Sequence, residues 1–554
     1  MPRARATPSI SWAPRPPVDF RVGPVTRIID SQTPDATTAG VIARAGNSVV
    51  VQADVGPLVQ GRPGLSFTGA GGTPQMGSAG ARTVQLLTTW TTLAGTSYTV
   101  AMVGGKFYTY TWSTDAWAEA VNAAAFAAAT GGAVTLSTTT KCYGAVLNNT
   151  LIVSDGANVG FSWDGTTNGG VVKLTSAPVF YGPLVVYYGK LFGIKSTERN
   201  TVVWSEEAAP NTGYEAGGYN NAWSLWQSDQ DQLTGLAATN SQLVIFRQTS
   251  TTAITGAVTD AFSSTGTRDA LSETVGSASP DGIQVWDGMV YFLGSDRHLY
   301  RITSTGLQEV GKGHRRALGT IPIASLASAQ LVPWYGAPNQ RYLLCGFQET
   351  SASGVSKYLV LDADTGEAAG DFTGWTCQRS GIVQNAGGQL FTAFGAGSTP
   401  TALDGYVSYL NTLDGSVWID GLQAASQPIA HEVLSGFLGW DESVDKLWDR
   451  ADLSFTMPTD LSLMTLGYVT SRGTATPQTL PTIEGVAGSR WDSFLWDTGT
   501  WADASAIERK VSVGWNGQGR WLQAVLRHDT ASEQFQFQSA RIYAIPLDVN
   551  PKAA

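Results

Sequence analysis

Charge is what this sequence has least of. Only 14% of its 554 residues are Asp, Glu, Lys or Arg, against a hydrophobic fraction of 43%, a low charge content for a soluble globular chain. Gly, Thr, Ser, Ala and Asn take the missing place, and there are 63 Gly and 19 Trp. Long surface helices need charged faces, so this composition disfavours them and suits short strands, tight turns and aromatic packing. It also suits a subunit that hides much of its surface in an assembly. Cations are the scarcer sign, 34 Lys and Arg against 44 Asp and Glu, for a net charge of −10. Duplex-binding proteins gain affinity by neutralising phosphates, so stable DNA binding by the chain as a whole is not expected. Cys142, Cys345 and Cys377 lie far apart with no CxxC spacing, which argues against a disulfide framework or a zinc site. The most apolar long stretch, 120–134, is Ala-rich and broken by Asn122, Thr130, Gly131 and Gly132, too short to span a bilayer. MPRARATPSISWAPRPP at the start carries cations but no apolar stretch behind them; it does not read as a secretory signal, and synthesis in a cytoplasm is expected.

Catalytic patterns are equally scarce. No GxSxG elbow, HExxH helix or GxxxxGK[ST] loop occurs. The four histidines, His298, His314, His431 and His528, lack metal-ligand spacing, and His431-Glu432 has no second histidine to complete a zincin helix. Asp362-Ala-Asp364-Thr-Gly366-Glu367 is similar to the start of a calcium loop but lacks the spaced oxygen ligands and the distal Glu; a tight hairpin turn is the better reading. Asp229 and Asp231 precede a strand with no companion cleft in view, and Glu206-Glu207 follow the strand of Trp204 toward solvent. A sialidase-type Asp-box is not intact: Ser154-Asp155-Gly156 and Trp163-Asp164-Gly165 read as hairpins. Trp491, Trp496 and Trp501 suit core packing or a subunit interface better than a glycan-stacking platform. The expectation is a non-enzyme with no catalytic, cofactor or metal residue to assign.

What is present is a rhythm. Residues 1–70 read as an extended arm with a turn at Arg62-Pro63-Gly64, expected to serve assembly contacts. From about residue 85 short apolar runs alternate with turn pairs: Gly104-Gly105, Asn148-Asn149, Asp155-Gly156, Asp164-Gly165, Asp287-Gly288, Gly387-Gly388 and Asp414-Gly415. Such pairs favour two-residue hairpins, whose central positions need positive φ. Typical strands are 97–102 with 106–112, and 283–285 with 289–293 and then 298–302. Apolar anchors recur at Tyr110, Trp163, Trp204, Ile254, Tyr300, Val360 and Tyr409, read as the last strand of each group, at a mean spacing of about 50 residues, near that of propeller blades. The reading is an all-β chain with a β-propeller of six or seven blades over 71–420. A C-terminal β-sandwich-like domain follows over 421–554, with strands at 453–457, 464–470, 510–515, 521–527 and 534–545.

Two stretches carry a resemblance. One runs Val202-Val-Trp204-Ser205-Glu-Glu-Ala-Ala-Pro210, Trp223, Asp229-Gln-Asp231-Gln-Leu233-Thr-Gly235-Leu236, Leu243-Val-Ile-Phe246-Arg247 and Thr252-Ala-Ile254-Thr-Gly256, ending in Val290-Tyr-Phe-Leu-Gly294. The other is Asn47 with Arg62-Pro63-Gly64. With the Trp491, Trp496 and Trp501 series, Gly519-Arg520-Trp521 and Ile542-Tyr543-Ala-Ile-Pro546, they resemble the tail hub and nozzle proteins of short-tailed, podovirus-like bacteriophages, related to packaged-DNA stabilisation and head-completion proteins. Arg247 stands where that family often carries Lys, and 120–134 reads as an insertion. The resemblance covers about half the chain.

It implies a structural virion protein of the phage tail, in a homo-oligomeric ring expected to be a hexamer. The ring sits below the portal and its head-tail adaptor, continues the DNA channel, retains packaged DNA and passes it during ejection, and docks tail fibres or spikes. Double-stranded DNA crosses the lumen without specific binding. Six copies at −10 each carry a formal −60, part of which is expected to line the lumen and let DNA slide. The alternative is a receptor-binding or carbohydrate-active propeller of the tailspike or sialidase type.

Overall fold

Gly104-Gly105, Asn148-Asn149 and Asp287-Gly288 each form a two-residue turn with both residues at positive φ, joining strands that pair directly across them. Blades built on such turns make up most of the computed structural model. It describes residues 18–22, 27–28, 41–53, 56–70, 75–130, 136–215, 221–224, 231–258, 267–337, 340–349, 354–385, 387–396, 405–413, 419–422, 425–435, 438, 445–456, 461–474, 477–480, 482, 508–530, 533 and 535–547.

Six small free-standing sheets form blades of a β-propeller. The first five begin with inner strands Val84–Thr91, Tyr143–Leu147, Phe180–Tyr187, Leu233–Ala238 and Ile283–Trp286. The ring is carried on by a four-strand set, Gln330–Ala337, Gln340–Phe347, Lys357–Asp362 and Ala368–Phe372, which is fused into a larger curled sheet. The last blade takes three strands, Cys377–Gln384, Leu390–Ala396 and Val407–Leu410, and borrows its fourth, Leu65–Phe67, from near the N-terminus. Inner strands lie side by side all the way round, and Cys377–Gln384 returns to Val84–Thr91. The borrowed strand latches the circle shut.

Beyond Ala368–Phe372 the larger sheet continues through Val41–Gly46, His431–Ser435, Leu522–His528 and Thr465–Thr470. A second sheet orders Ser48–Ala53, Gly56–Gly61, Gln536–Pro546, Lys446–Thr456 and Glu508–Gly519, with Val18–Val22 added to Gln536–Pro546. The two curl around one core containing Ile42, Val59, Trp448, Phe455, Trp515, Phe537 and Ile542. The C-terminal strands thus share their sheets with the chain's beginning.

The structure differs from the sequence reading at several points. Residues 41–53 and 56–61, expected within an arm where only 41–55 alternates weakly, lie in sheets: 48–53 and 56–61 pair with each other, and their other partners lie hundreds of residues away. The seven anchors, from Tyr110 to Tyr409, all fall on the third strand of their sets, not the last. Fourth strands on the rim, such as Gly306–Val310, bury little, whereas Ala368–Phe372 inside the larger sheet is buried throughout, so fourth strands leave an uneven apolar signal. Asp155-Gly156, Asp164-Gly165 and Gly387-Gly388 belong to loops longer than two residues; Asp414-Gly415 lies outside the described residues. Tyr188-Gly189 is a two-residue turn that composition hides. Within 120–134, Ala123–Thr130 is a short helix between the first two blades.

Candidate functional site

Lys141, Asp281 and Arg379 stand at the start of three inner strands, in the second blade, the fifth blade and the last. These blades are not neighbours, so the three side chains can meet only across the propeller axis. The Lys141 ammonium lies 2.5 Å from one Asp281 oxygen, and Arg379 pairs with the other. Arg379 Nη2 donates to the Cys142 carbonyl at 3.1 Å, and its guanidinium lies 4.7 Å from the Tyr143 ring centre. Burial alone would raise the Asp281 pKa, but Arg379 and Lys141 outweigh it and hold the carboxyl down at about 2. Burial likewise pushes the Tyr143 phenol well above its ordinary range, with Asp281 adding and Arg379 opposing. An acid held this firmly ionised is a poor proton donor near neutrality. The cluster ties the blades together across the axis at the end where their inner strands begin.

Beside it lies a cavity of about 220 Å3 lined by Gln85, Thr139, Lys141, Ser328, Gln330 and Gln378, among others. Two of these amides are taken up in holding blades together. Gln85 Nε2 donates to the Ser137 and Thr140 carbonyls, both at 2.7 Å, and Gln330 accepts from Ser380 N at 2.8 Å.

A second polar node joins propeller and C-terminal sheets. Arg62, fully buried, forms a two-pronged pair with Asp420 at 2.8 and 2.5 Å. Its Nε donates to Asn47 Oδ1 at 3.2 Å, and its guanidinium lies 4.6 Å from the Trp375 ring centre. Asp420 Oδ1 also accepts from Leu65 N at 3.1 Å, fixing the first residue of the latch strand. Asn47 takes a positive φ of 48° and accepts from Thr373 N at 2.7 Å.

Next to this node, His431 and His528 face each other across paired strands, their rings 6.0 Å apart and nearly parallel, with Phe535 stacked on both. His431 Nδ1 lies 2.7 Å from the Asn47 carbonyl and so carries the proton as its donor. Burial, opposed by that bond, pushes the imidazole down to about 3. His528 Nε2 lies 2.8 Å from Glu533, which also accepts from Ser462 N.

Sequence reasoning found Asn47 and Arg62 as a motif but not Asp420; no local pattern marks a partner 358 residues on. No motif or spacing in the sequence marks Lys141, Asp281 and Arg379. Their one signal is position: each sits within two residues of an inner strand's first residue. Asp362 forms the expected turn, accepting from Asp364 N and Thr365 N, while Asp364 pairs with Arg341. Glu206 accepts from Asn221 Nδ2 at 2.7 Å and Glu207 is exposed. The Asp231 carbonyl accepts from Arg247 Nε and Nη2 at 3.0 and 2.7 Å, while Asp229 lies outside the described residues. His314 is buried against the Val360 carbonyl, and His298 sits half-buried beside Asp296. The three cysteines are free and buried in separate parts of the core. Trp491, Trp496 and Trp501 lie outside the described residues.

No family model matches this chain, and no curated protein matches it. Among solved structures it is similar to the computationally designed Ika8 protein, at 14% identity and a TM-score of 0.34, covering 67% of this chain and 98% of that one. It is also similar to BamB from Moraxella catarrhalis, at 10% identity and a TM-score of 0.27, covering 48% and 80% respectively.

Proposed function

We propose that this chain is a non-enzymatic virion protein of a short-tailed bacteriophage, a subunit of the tail hub or nozzle ring below the portal and adaptor. The ring extends the DNA channel, retains packaged DNA, passes it during ejection, and carries fibres or spikes outside. The observation that carries this reading is where the resembling residues fall. Asn47 and Arg62 of the opening motif meet each other and Asp420 at the latch of the propeller. Asp231 and Arg247 of the central run meet at the first hairpin of the fourth blade. Trp204, Trp223, Leu236 and Ile254 of the same run pack together between third and fourth blades. These positions hold a rigid body together, which is what a ring subunit under internal DNA pressure needs.

The closed axis supports one DNA path within this reading. Lys141, Asp281 and Arg379 close each propeller's own centre, so duplex DNA runs between copies, through the middle of their ring. An acidic chain with few cations makes a lumen that does not trap phosphates.

Antibody against the purified chain, gold-labelled on intact phage particles, tests this. Label at the tail below the head vertex is expected. Particles lacking the chain, or hydrolysis of surface glycans by the purified protein, would overturn the reading.

A further inference from the structure

Two patches on opposite faces of the propeller differ in charge. Strands alternate in direction within a blade, so turns between first and second and between third and fourth strands gather on one face; connectors between blades gather on the other. On the connector face, the segment after Gly306–Val310 exposes Lys312, Arg315 and Arg316 in two short helical turns. Arg297 joins them from a turn of the same blade, its Nη1 donating to the Gly319 carbonyl at 2.8 Å. Ile323, 74% exposed, follows directly. Arg315 is paired with Glu309 and exposed Asp296 stands beside Arg297, so 296–316 holds two carboxylates against five Lys and Arg. In a chain this poor in cations, that is a concentrated positive patch.

The turn face of the second and third blades has the opposite character. Tyr188, 53% exposed, projects from its turn next to Glu207, and the Ala208 N–H donates to the Gly189 carbonyl at 2.8 Å, tying the two turns together. Glu206 and exposed Asp164 lie on the same face. Leu93, 92% exposed, crowns the neighbouring turn of the first blade, where its N–H donates to Asn149 Oδ1 at 2.7 Å. Tyr188 holds a φ of 46°, a conformation in which a bulky aromatic is strained while Asn or Gly is not. The exposed Tyr188 ring packs edge-on against Tyr187, their centres 4.7 Å apart, on the turn beside Glu207.

We propose that these two faces recognise each other in neighbouring copies of this chain. The Lys312–Arg316 segment and Ile323 of one copy dock on the Tyr188 and Glu207 turns of the next. Each patch joins an exposed large apolar side chain to charges mostly of one sign, cations outnumbering Asp296 and Glu309 in one and Glu206, Glu207 and Asp164 outnumbering Lys190 in the other, the complementarity that steers and orients an interface. The contact is heterologous, so every copy uses one of each and the series closes into a ring when the rotation allows. Both patches lie off the axis, which displaces successive copies sideways instead of stacking them coaxially. This rests on the ring reading above and names the surfaces that build it.

Sedimentation of the full chain at low salt tests it with three variants. Lys312→Glu with Arg316→Glu, and separately Glu207→Lys, are each expected to weaken assembly by roughly tenfold or more, and an equal mixture of the two is expected to restore it, because each reversed surface meets an opposite one. Tyr188→Asn relieves the backbone strain, so its melting temperature should stay level or rise while assembly weakens; a merely structural tyrosine would show no loss of assembly. Rings that form equally well in all three variants, or a mixture that fails to recover, overturn the interface and leave the ring reading standing. A wild-type chain that never assembles, alone or with the portal and adaptor, overturns the ring reading itself. If the Lys312 and Arg316 reversals instead abolish binding to a duplex oligonucleotide and leave assembly untouched, the patch belongs to nucleic acid and the proposal is wrong.

Discussion

The Lys141 ammonium lies 2.5 Å from the Asp281 carboxylate although their blades are not neighbours in the ring. With Arg379 on the other oxygen, one carboxylate holds two cations and three blades. Replacing Asp281 by Ala leaves two cations facing each other in a largely buried place, and breaking such a pair costs about 3–5 kcal/mol. Lys141→Met removes only a half-exposed partner and should cost about 1 kcal/mol or less. Urea unfolding of the two variants measures both. The Asp281 pKa is depressed from its ordinary 3.8 to about 2. Its contribution is therefore present above pH 3.8 and is lost as pH falls through about 2.

His431 sets a different acid window. Its imidazole is held at about 3, against an ordinary 6.5, with His528 stacked on one side and Arg62 also opposing its charge. The unfolded chain takes up a proton that the folded chain refuses. Stability should be whole above about pH 6.5 and decline toward pH 3, by at most about 1.4 kcal/mol per pH unit from this group. His431→Gln should flatten that stretch of the stability profile, read by denaturant midpoints between pH 4 and 7 at about half-unit steps.

Arg62→Lys should behave as a severe change. A lysine cannot make the two-pronged pair with Asp420, reach Asn47 as well and stack on Trp375. We expect a loss of about 2–4 kcal/mol, in the range for a buried charge left poorly paired. Hydrogen exchange should localise it: Leu65–Phe67 and its partner Val407–Leu410 should lose protection before the third and fourth blades do.

Gly381 lies where the last blade meets the first, and a methyl group there would run into the Leu87 carbonyl. Backbone cannot move aside as a flexible side chain can, so Gly381→Ala should lower the melting temperature by several degrees, consistent with a loss of about 1–3 kcal/mol. Gly288→Ala, at an open turn with a φ of 75°, should cost only its backbone strain, about 1 kcal/mol. Thermal melts of the pair separate crowding from strain.

The repeat was legible because the third strand of most sets is buried on both faces; Trp163 and Trp204, each almost wholly buried, mark it in the sequence, while Leu299–Thr303 is only half-buried. The outer strands were not legible, since rim positions tolerate polar residues. Turn chemistry succeeded where both turn residues favour positive φ, as at Gly104-Gly105, and failed at Asp155, whose carboxylate accepts from Ala157 N and Asn158 N and so builds a longer loop. The axial cluster and the Arg62 node were out of reach for one reason: their partners are set by ring closure, which joins residues far apart along the chain, whereas periodicity reads only neighbours. Asn47 and Arg62 were noticed as a motif, yet their joint task became plain only with Asp420 beside them.

Negative-stain electron microscopy of the purified chain, alone and mixed with the portal and adaptor of its particle, tests the central claim most directly. The account predicts rings with an open centre, each subunit a closed propeller body with a smaller lobe. Isolated 58.5 kDa particles at every concentration, with and without those partners, would contradict it.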